Sequence, residues 1–200
     1  MQSMSDIFDH LTEDRTSLYP ICVEFSLPDA GWIWLKIKPL HELYGVSCTY
    51  IWDPFPHMLA WLGEIADGCD AATWQVNEEG HSSRLQFYGG AGCIDDRAEY
   101  LLHIQTHHDG IYRVRGVKVE RRQLVEAFYR SFRAMAESPD YVPREWEAHP
   151  QFELLDEMDD EEYTIEYNKF PYGGQNLREL TSPSIEAYLA AGSTGDQQTS

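Results

Sequence analysis

The alternation of apolar and polar positions predicts a series of strands. It begins at Ile21, Val23 and Phe25, which are separated by polar or small residues, and resumes over residues 32–38 after a Pro-Asp-Ala-Gly turn. A period of two is typical of strands, so these two runs predict a hairpin. Similar runs predict further strands over residues 43–52, 72–77, 84–88, 100–107 and 111–119.

Three other stretches repeat their apolar residues at helical spacing. Asp53 and Pro54 supply an N-cap and a first-turn proline for the first helix, which Gly68 ends. A second helix is predicted over residues 120–137, and a third over residues 183–192. The inward stripe of the second helix consists of Leu124, Phe128, Phe132 and Met135.

The order of these elements predicts an α+β fold. Strands joined by short turns pair antiparallel, and no helix-linked parallel unit is evident. We therefore expect a largely antiparallel sheet of about six or seven strands, with helices packed on one face. The predicted divisions are an N-terminal segment (1–18), an α+β core domain (19–140), an acidic docked segment with the C-terminal helix (141–192) and a disordered tail (193–200).

Composition narrows the classes of function. The 15 Lys and Arg residues against 34 Asp and Glu residues give a net charge of −19, which disfavours nucleic-acid binding through phosphates. No run approaches the roughly 20 apolar residues of a membrane span, and residues 1–18 lack the features of a signal peptide. The four cysteines form no Cys-x-x-Cys pair, so we expect reduced thiols and a cytoplasmic location.

The acidic segment, residues 145–166, holds ten carboxylates and no Lys or Arg. Its aromatic and aliphatic side chains favour docking over a free tail. A dense negative surface accelerates association with a basic protein, and aromatic residues supply desolvated anchors. The predicted partner-binding residues are Trp146, Phe152, Glu153, Asp156, Glu157, Asp159, Asp160, Glu161, Glu162 and Tyr163.

The acidic segment has two other interpretations. It is a solvated face that maintains solubility, or it folds back onto the cations of the preceding strand and helix. In the second case the carboxylates are neutralised within the chain, and a partner would meet little free charge. The cations concerned are Arg113, Arg115, Lys118, Arg121, Arg122, Arg130 and Arg133.

The sequence contains only weak signals for a metal site, a phosphate site or a catalytic nucleophile. His103 and His107 would share one face of a strand but stand about 13 Å apart, too far to ligate one ion. The glycines of residues 89–92 match no phosphate-binding pattern. The separated residues His41, Cys48, Asp53 and His57 form no recognisable nucleophile motif. We therefore expect no catalytic residue, metal or cofactor.

Two further possibilities are open. A pocket between the sheet and the first helix, using Asp53 and His57, would make the chain a small-ligand-binding or enzyme domain. The second strand also places Trp32 and Trp34 on its polar face. Those rings either add a layer of core or form an exposed aromatic patch, which could join copies of the chain.

The centre of the chain, at residues 52–62 (WDPFPHMLAWL) and 74–80 (WQVNEEG), resembles the strand–helix–strand centre of small uncharacterised bacterial proteins. These include immunity proteins of polymorphic toxin systems, and the resemblance covers residues 20–135. It implies a non-enzymatic protein that binds a toxin and blocks its active site, often by meeting a basic nuclease with an acidic surface. The expected partner is therefore a basic protein, with a toxin as the first candidate.

Overall fold

A computed structural model describes residues 21–39, 43–89, 99–108, 111–147 and 175–193. The predicted N-terminal segment, most of the acidic segment and the tail after residue 193 lie outside these residues. The domain boundaries that depend on them stay predictions. No helix among the described residues combines the length and the apolar character that crossing a membrane requires.

The described residues contain seven strands, three longer helices and one four-residue helix. The strands are β1 (Ile21–Phe25), β2 (Trp32–Pro39), β3 (Tyr44–Thr49), β4 (Ala71–Asn77), β5 (Ser82–Gly89), β6 (Glu99–His108) and β7 (Ile111–Glu120). The helices are α1 (Phe55–Ala66), α2 (Arg121–Ala136), α3 (Arg144–Glu147) and α4 (Pro183–Ser193), and a 3₁₀ turn spans Tyr50–Trp52. Most predicted elements are therefore confirmed with ends shifted by one or two residues, as expected for pattern-based boundaries.

The strands form two antiparallel sheets with the orders β1-β2-β3 and β4-β5-β6-β7. The α+β class is confirmed, whereas the single sheet of six or seven strands is not. The predicted strand over residues 43–52 also ends early, because the chain enters a 3₁₀ turn after Thr49. The Thr49 hydroxyl caps that turn by accepting a hydrogen bond from the Ile51 N–H.

Side-chain carboxylates bridge the two sheets, between which no backbone ladder runs within the described residues. Glu78, next to the β4–β5 turn, accepts hydrogen bonds from the backbone N–H and the hydroxyl of Ser47, each at 2.8 Å, and from the Ser83 hydroxyl. Glu79 accepts from the Thr49 hydroxyl at 2.7 Å. Because edge strands carry backbone groups that need partners, these contacts satisfy part of the β3 edge and separate the sheets by a side chain's reach.

One hydrophobic core joins both sheets to α1 and α2. Ile33, Leu35 and Ile37, on the face of β2 opposite Trp34, are buried, and so is the predicted stripe of α2. Phe55 lies 5.2 Å from the ring centroids of both Phe132 and Trp146. Trp61 stacks on Trp74 at 5.8 Å. The two aromatic groups hold α1 between the strands and α2, which fixes the position of its outer side.

The ends of α1 follow the predicted capping pattern. The Asp53 carboxylate accepts a hydrogen bond from the Phe55 N–H at 3.0 Å, which satisfies a donor of the first turn. At the other end, Gly68 adopts φ 94°. The N–H groups of Gly68 and Cys69 bond back to carbonyls of the last turn, the arrangement of a Schellman motif.

Arginines dock the C-terminal segment, residues 175–193, onto α2. Arg133 donates to three backbone carbonyls within residues 177–180, the nearest at 2.8 Å. Arg122 donates to two carbonyls of α4, and Arg178 reaches from the segment to three carbonyls within residues 136–141. Cations suit carbonyls at helix ends because both the hydrogen bond and the helix dipole favour them. These backbone contacts therefore hold the C-terminal segment to α2 and the turn after it, and Arg133 also forms an ion pair with Glu137 at 2.6 Å.

Candidate functional site

A groove of about 560 Å³ lies between α1 and β4. His57 and Glu64 line it from α1, and Trp52 and Asp53 line it from the turn before the helix. Its position matches the pocket that the alternative hypothesis, a small-ligand-binding or enzyme domain, places between the sheet and the first helix. Its lining is concave and combines polar, charged and aromatic residues.

The wall formed by β4 is a strand edge. β4 is the outermost strand of its sheet, and hydrogen bonds from Gly89 N–H to the Asp70 carbonyl and from Glu78 N–H to the His81 carbonyl fix which residues bond β5. Because bonded and non-bonded pairs alternate in an antiparallel ladder, the odd-numbered residues of β4 direct their backbone groups away from β5. Among the described residues, no strand pairs with this edge. The outward-facing residues that line the groove are Thr73, Gln75 and Asn77.

The inner part of the groove is formed by two stacked indoles. The Trp74 N–H donates to the Pro54 carbonyl at 3.1 Å. The Trp61 N–H is buried and has no hydrogen-bond partner within the described part of the chain. A buried donor without a partner costs about 1–3 kcal/mol, so such groups are uncommon and mark places where a further acceptor is favourable.

Asp53 is the most constrained charged group of the site. One carboxylate oxygen accepts from the Phe55 N–H, and the other accepts from the Gln175 N–H at 3.0 Å. Burial raises the pKa of Asp53 above 3.8, while these two N–H groups, nearby His57 and the Trp146 indole oppose the rise. Asp53 thus anchors the C-terminal segment to the start of α1 and brings a carboxyl group to the groove.

The charge of the lining favours a cation. Two carboxylates, Asp53 and Glu64, line the groove, and the lining that the described residues provide contains no Lys or Arg. Trp52, beside Asp53, keeps 50% of its surface exposed. An indole face close to carboxylates suits an ammonium or guanidinium group, because the ring quadrupole and the negative charges attract it together.

The candidate nucleophile does not fit a catalytic role. Cys48 is fully buried, and burial raises the pKa of its thiol, with Glu78 and Asp53 adding to the rise. The thiolate is the reactive form, so a raised pKa leaves the thiol inert. His57 is exposed, and His41 lies outside the described residues. The described geometry therefore gives no activated Cys–His pair.

Of the ten predicted partner-binding residues, the structure describes one, Trp146. Trp146 is fully buried and packs edge-on against Phe55 at 5.2 Å, so the prediction that it offers its ring to a partner is corrected. The acidic residues next to Trp146 in sequence predicted that its ring is exposed, but the aromatic side chains around Phe55 bury it. The other nine, residues 152–163 of the acidic segment, lie outside the described residues, and their role stays a prediction.

Glu145 is the one carboxylate of the acidic segment whose contact the structure shows. Its side chain accepts a hydrogen bond from the Ala30 N–H at 3.1 Å, and its backbone carbonyl accepts from the Gly31 N–H. Gly31 is required there, because a Cβ would lie 2.2 Å from the Tyr50 ring and φ is +83°. This carboxylate therefore binds a backbone turn of its own chain.

Sequence reasoning missed several residues of the groove. Glu64 lies on the polar side of a predicted helix, and Thr73, Gln75 and Asn77 alternate on a predicted strand. Periodicity therefore places each of them, but no motif marks them as a site.

Trp34, on the outer face of β2, is 54% exposed and belongs to no core layer. Within the described ranges, no three His, Cys, Asp or Glu side chains are placed to hold a metal ion.

No protein-family model matches the sequence, and no curated protein or solved structure is significantly similar to it.

Proposed function

We propose that this chain is a non-enzymatic protein that binds a basic protein partner, and that the groove between α1 and β4 is part of its binding surface. The observation that carries this proposal is the lining of the groove, where the described part of the chain supplies two carboxylates and a half-exposed Trp52 but no Lys or Arg. The net charge of −19 adds long-range attraction. Complementary charge raises association rates and disfavours acidic competitors.

The proposed partner is a bacterial toxin, which the chain would neutralise by occupying its surface. Support comes from the resemblance to immunity proteins, since residues 52–62 and 74–80 carry it and also supply most of the groove. The start of α1 and the edge of β4 are therefore the parts of the chain most directly linked to this role. The acidic segment is proposed as a second contact in the same complex.

Cross-linking tests the location of the binding surface. A photo-cross-linking amino acid at Ala60, in the α1 wall of the groove, should capture a basic protein when the chain is expressed in its native host. Glu64→Lys should slow association of that protein roughly tenfold at low salt. Asp140→Lys is the matched control, because Asp140 is exposed and does not line the groove. Equal slowing by both variants would contradict the proposed surface.

A small-ligand-binding or enzymatic role is the second candidate. The groove volume of about 560 Å³ lies in the range of small-molecule sites, and Asp53 and His57 both line it. Native mass spectrometry of the purified chain tests this role directly. A bound metabolite that is lost in His57→Ala would favour it over protein binding.

A further inference from the structure

We infer that the groove accepts an extended basic segment of the partner as an added strand on the edge of β4. This inference rests on the proposed function, because it names the structural form of the basic partner at the same site. Strand addition supplies affinity through main-chain hydrogen bonds and specificity through alternate side chains. Four observations support it.

The edge of β4 lacks the devices that usually protect an edge strand. Its sequence, AATWQVN, contains no charged residue and no proline, although charges and prolines commonly block pairing with another chain. The β3 edge differs, because Glu78 and Glu79 bond to Ser47 and Thr49 there. Within the described residues, side chains next to β4 therefore bond the β3 edge, whereas no strand pairs with the β4 edge and its residues line the groove.

The backbone groups available on β4 have the spacing of a strand. Thr73, Gln75 and Asn77 direct their N–H and C=O groups away from β5, and all three line the groove. An added strand uses such alternate residues as donors and acceptors. A compact ligand has no need of this repeated pattern.

The negative charge of the groove lining favours an added strand with positive side chains. Asp53 and Glu64 line the side of the groove opposite β4, so Lys or Arg side chains on the added strand gain attraction. A second copy of this chain carries a net charge of −19 and is repelled. The acidic segment is disfavoured for the same reason. The occupant that fits is therefore a basic segment of another protein.

The indoles add aromatic surface to the groove. Trp61 and Trp74 contribute to its lining with their buried rings stacked on each other. Trp52 presents an exposed ring to cations entering beside Asp53.

Capped peptides provide the test on the ligand side. The probe is Ac-KVKVKVK-NH₂, matched to the seven residues of β4, with Ac-EVEVEVE-NH₂ as the acidic control. Two further probes each carry three N-methyl groups on alternate amides, one on the last three lysines and one on the three valines. Isothermal titration calorimetry at low salt should show binding of the basic peptide and of only one N-methylated isomer. The other isomer should bind roughly tenfold or more weakly, because it loses the main-chain bonds to β4.

Substitution of Gln75 provides the test on the protein side. Gln75→Pro removes an N–H that faces the groove and leaves the hydrogen bonds of β4 to β5 in place, a position that tolerates proline. It should weaken peptide binding roughly threefold to tenfold. Gln75→Ala is the matched control, because it removes the same side chain but keeps the N–H, and it should bind like the wild type. If Gln75→Pro does not fold, the two N-methylated isomers decide the question alone.

The outcomes separate the two proposals. Equal binding of both N-methylated isomers, with Glu64→Lys still weakening the basic peptide, overturns strand addition and keeps a basic partner at this site. Binding of the acidic peptide as tight as the basic one, or no binding of any basic probe, overturns the inference. The proposed function then depends on the cross-linking result and fails if no basic protein is captured.

Discussion

The polar groups of two regions, the docked C-terminal segment and the groove beside α1, have opposite surroundings. Where the C-terminal segment meets α2, three arginines donate to backbone carbonyls and hold the chain to itself. Where α1 meets the edge of β4, the described lining has two carboxylates and the half-exposed Trp52 but no Lys or Arg. The chain has 15 Lys and Arg residues in 200, and three of the arginines bond to carbonyls of its own backbone. The two carboxylates of the groove therefore favour a cation.

The largest expected effect comes from the helix that serves both regions. Phe128 of α2 is fully buried and contacts Trp61 at 5.4 Å and Trp74 at 6.2 Å. Phe128→Ala should lower the free energy of unfolding by about 3–5 kcal/mol, because it opens a cavity beneath the groove. Urea denaturation measures the loss. Phe128→Leu keeps most of the volume and should cost less than half as much, whereas equal losses would show that packing is not the cause.

A smaller effect is expected at the docked segment. Arg133→Ala removes three bonds to the carbonyls of residues 177–180 and the ion pair with Glu137. It should cost about 2–3 kcal/mol, because hydrogen bonds to charged groups are stronger than average and the carbonyls lose their donor. Arg130→Ala on the same helix breaks only an exposed pair with Glu126 and should cost at most about 0.5 kcal/mol. Similar costs in urea denaturation would contradict the assigned role of Arg133.

Asp53 joins the two regions, and its effect should depend on pH. Asp53→Asn replaces the acceptor of the Gln175 N–H with a donor, at a cost of about 1–2 kcal/mol at neutral pH. Because the pKa of Asp53 is raised above 3.8, the stability linked to its protonated form is complete below that value and is lost as the pH rises through the folded pKa. The stability difference between wild type and variant should therefore grow as the pH falls from 7 toward about 4.

A constant difference across that range would contradict the raised pKa. The comparison with Asp53→Asn is required because many other carboxylates titrate over the same range, and their contributions cancel between the two proteins.

The smallest effect on stability is expected inside the groove. Glu64 is exposed, so Glu64→Gln should change the free energy of unfolding by no more than about 0.5 kcal/mol. The same variant should still weaken binding of a basic peptide in calorimetry, because it removes a lining charge. A large loss of stability would show that Glu64 supports the fold and would weaken its assignment to a binding surface.

Periodicity predicted most elements of this fold because each has a clear hydrophobic face. Ile33, Leu35 and Ile37 of β2 and the stripe of α2 are buried as expected. The division into two sheets could not be predicted in this way. It depends on the turn after Thr49 and on Glu78 meeting Ser47 across 31 positions of sequence, and hydrophobic pattern contains no information on such pairings.

The site was predictable in position but only partly in composition. The alternative hypothesis placed Asp53 and His57 at a pocket beside the first helix, and both line the groove. Trp146 was expected at the surface because acidic residues surround it, but packing against Phe55 decided its burial. The β4 edge could not be foreseen, since an edge is defined by which strand is absent beside it, a property of the tertiary arrangement.

The bridge at Glu78 also has a consequence for how the molecule assembles and opens. Neighbouring strands pair within each sheet, so each sheet can form from contacts that are close in sequence, which favours rapid folding. The two halves are joined by packing and by a few side-chain bonds, without a continuous ladder. Their amides should therefore exchange with deuterium as two cooperative units, with the β3 amides that border the bridge opening earliest of the three-stranded half.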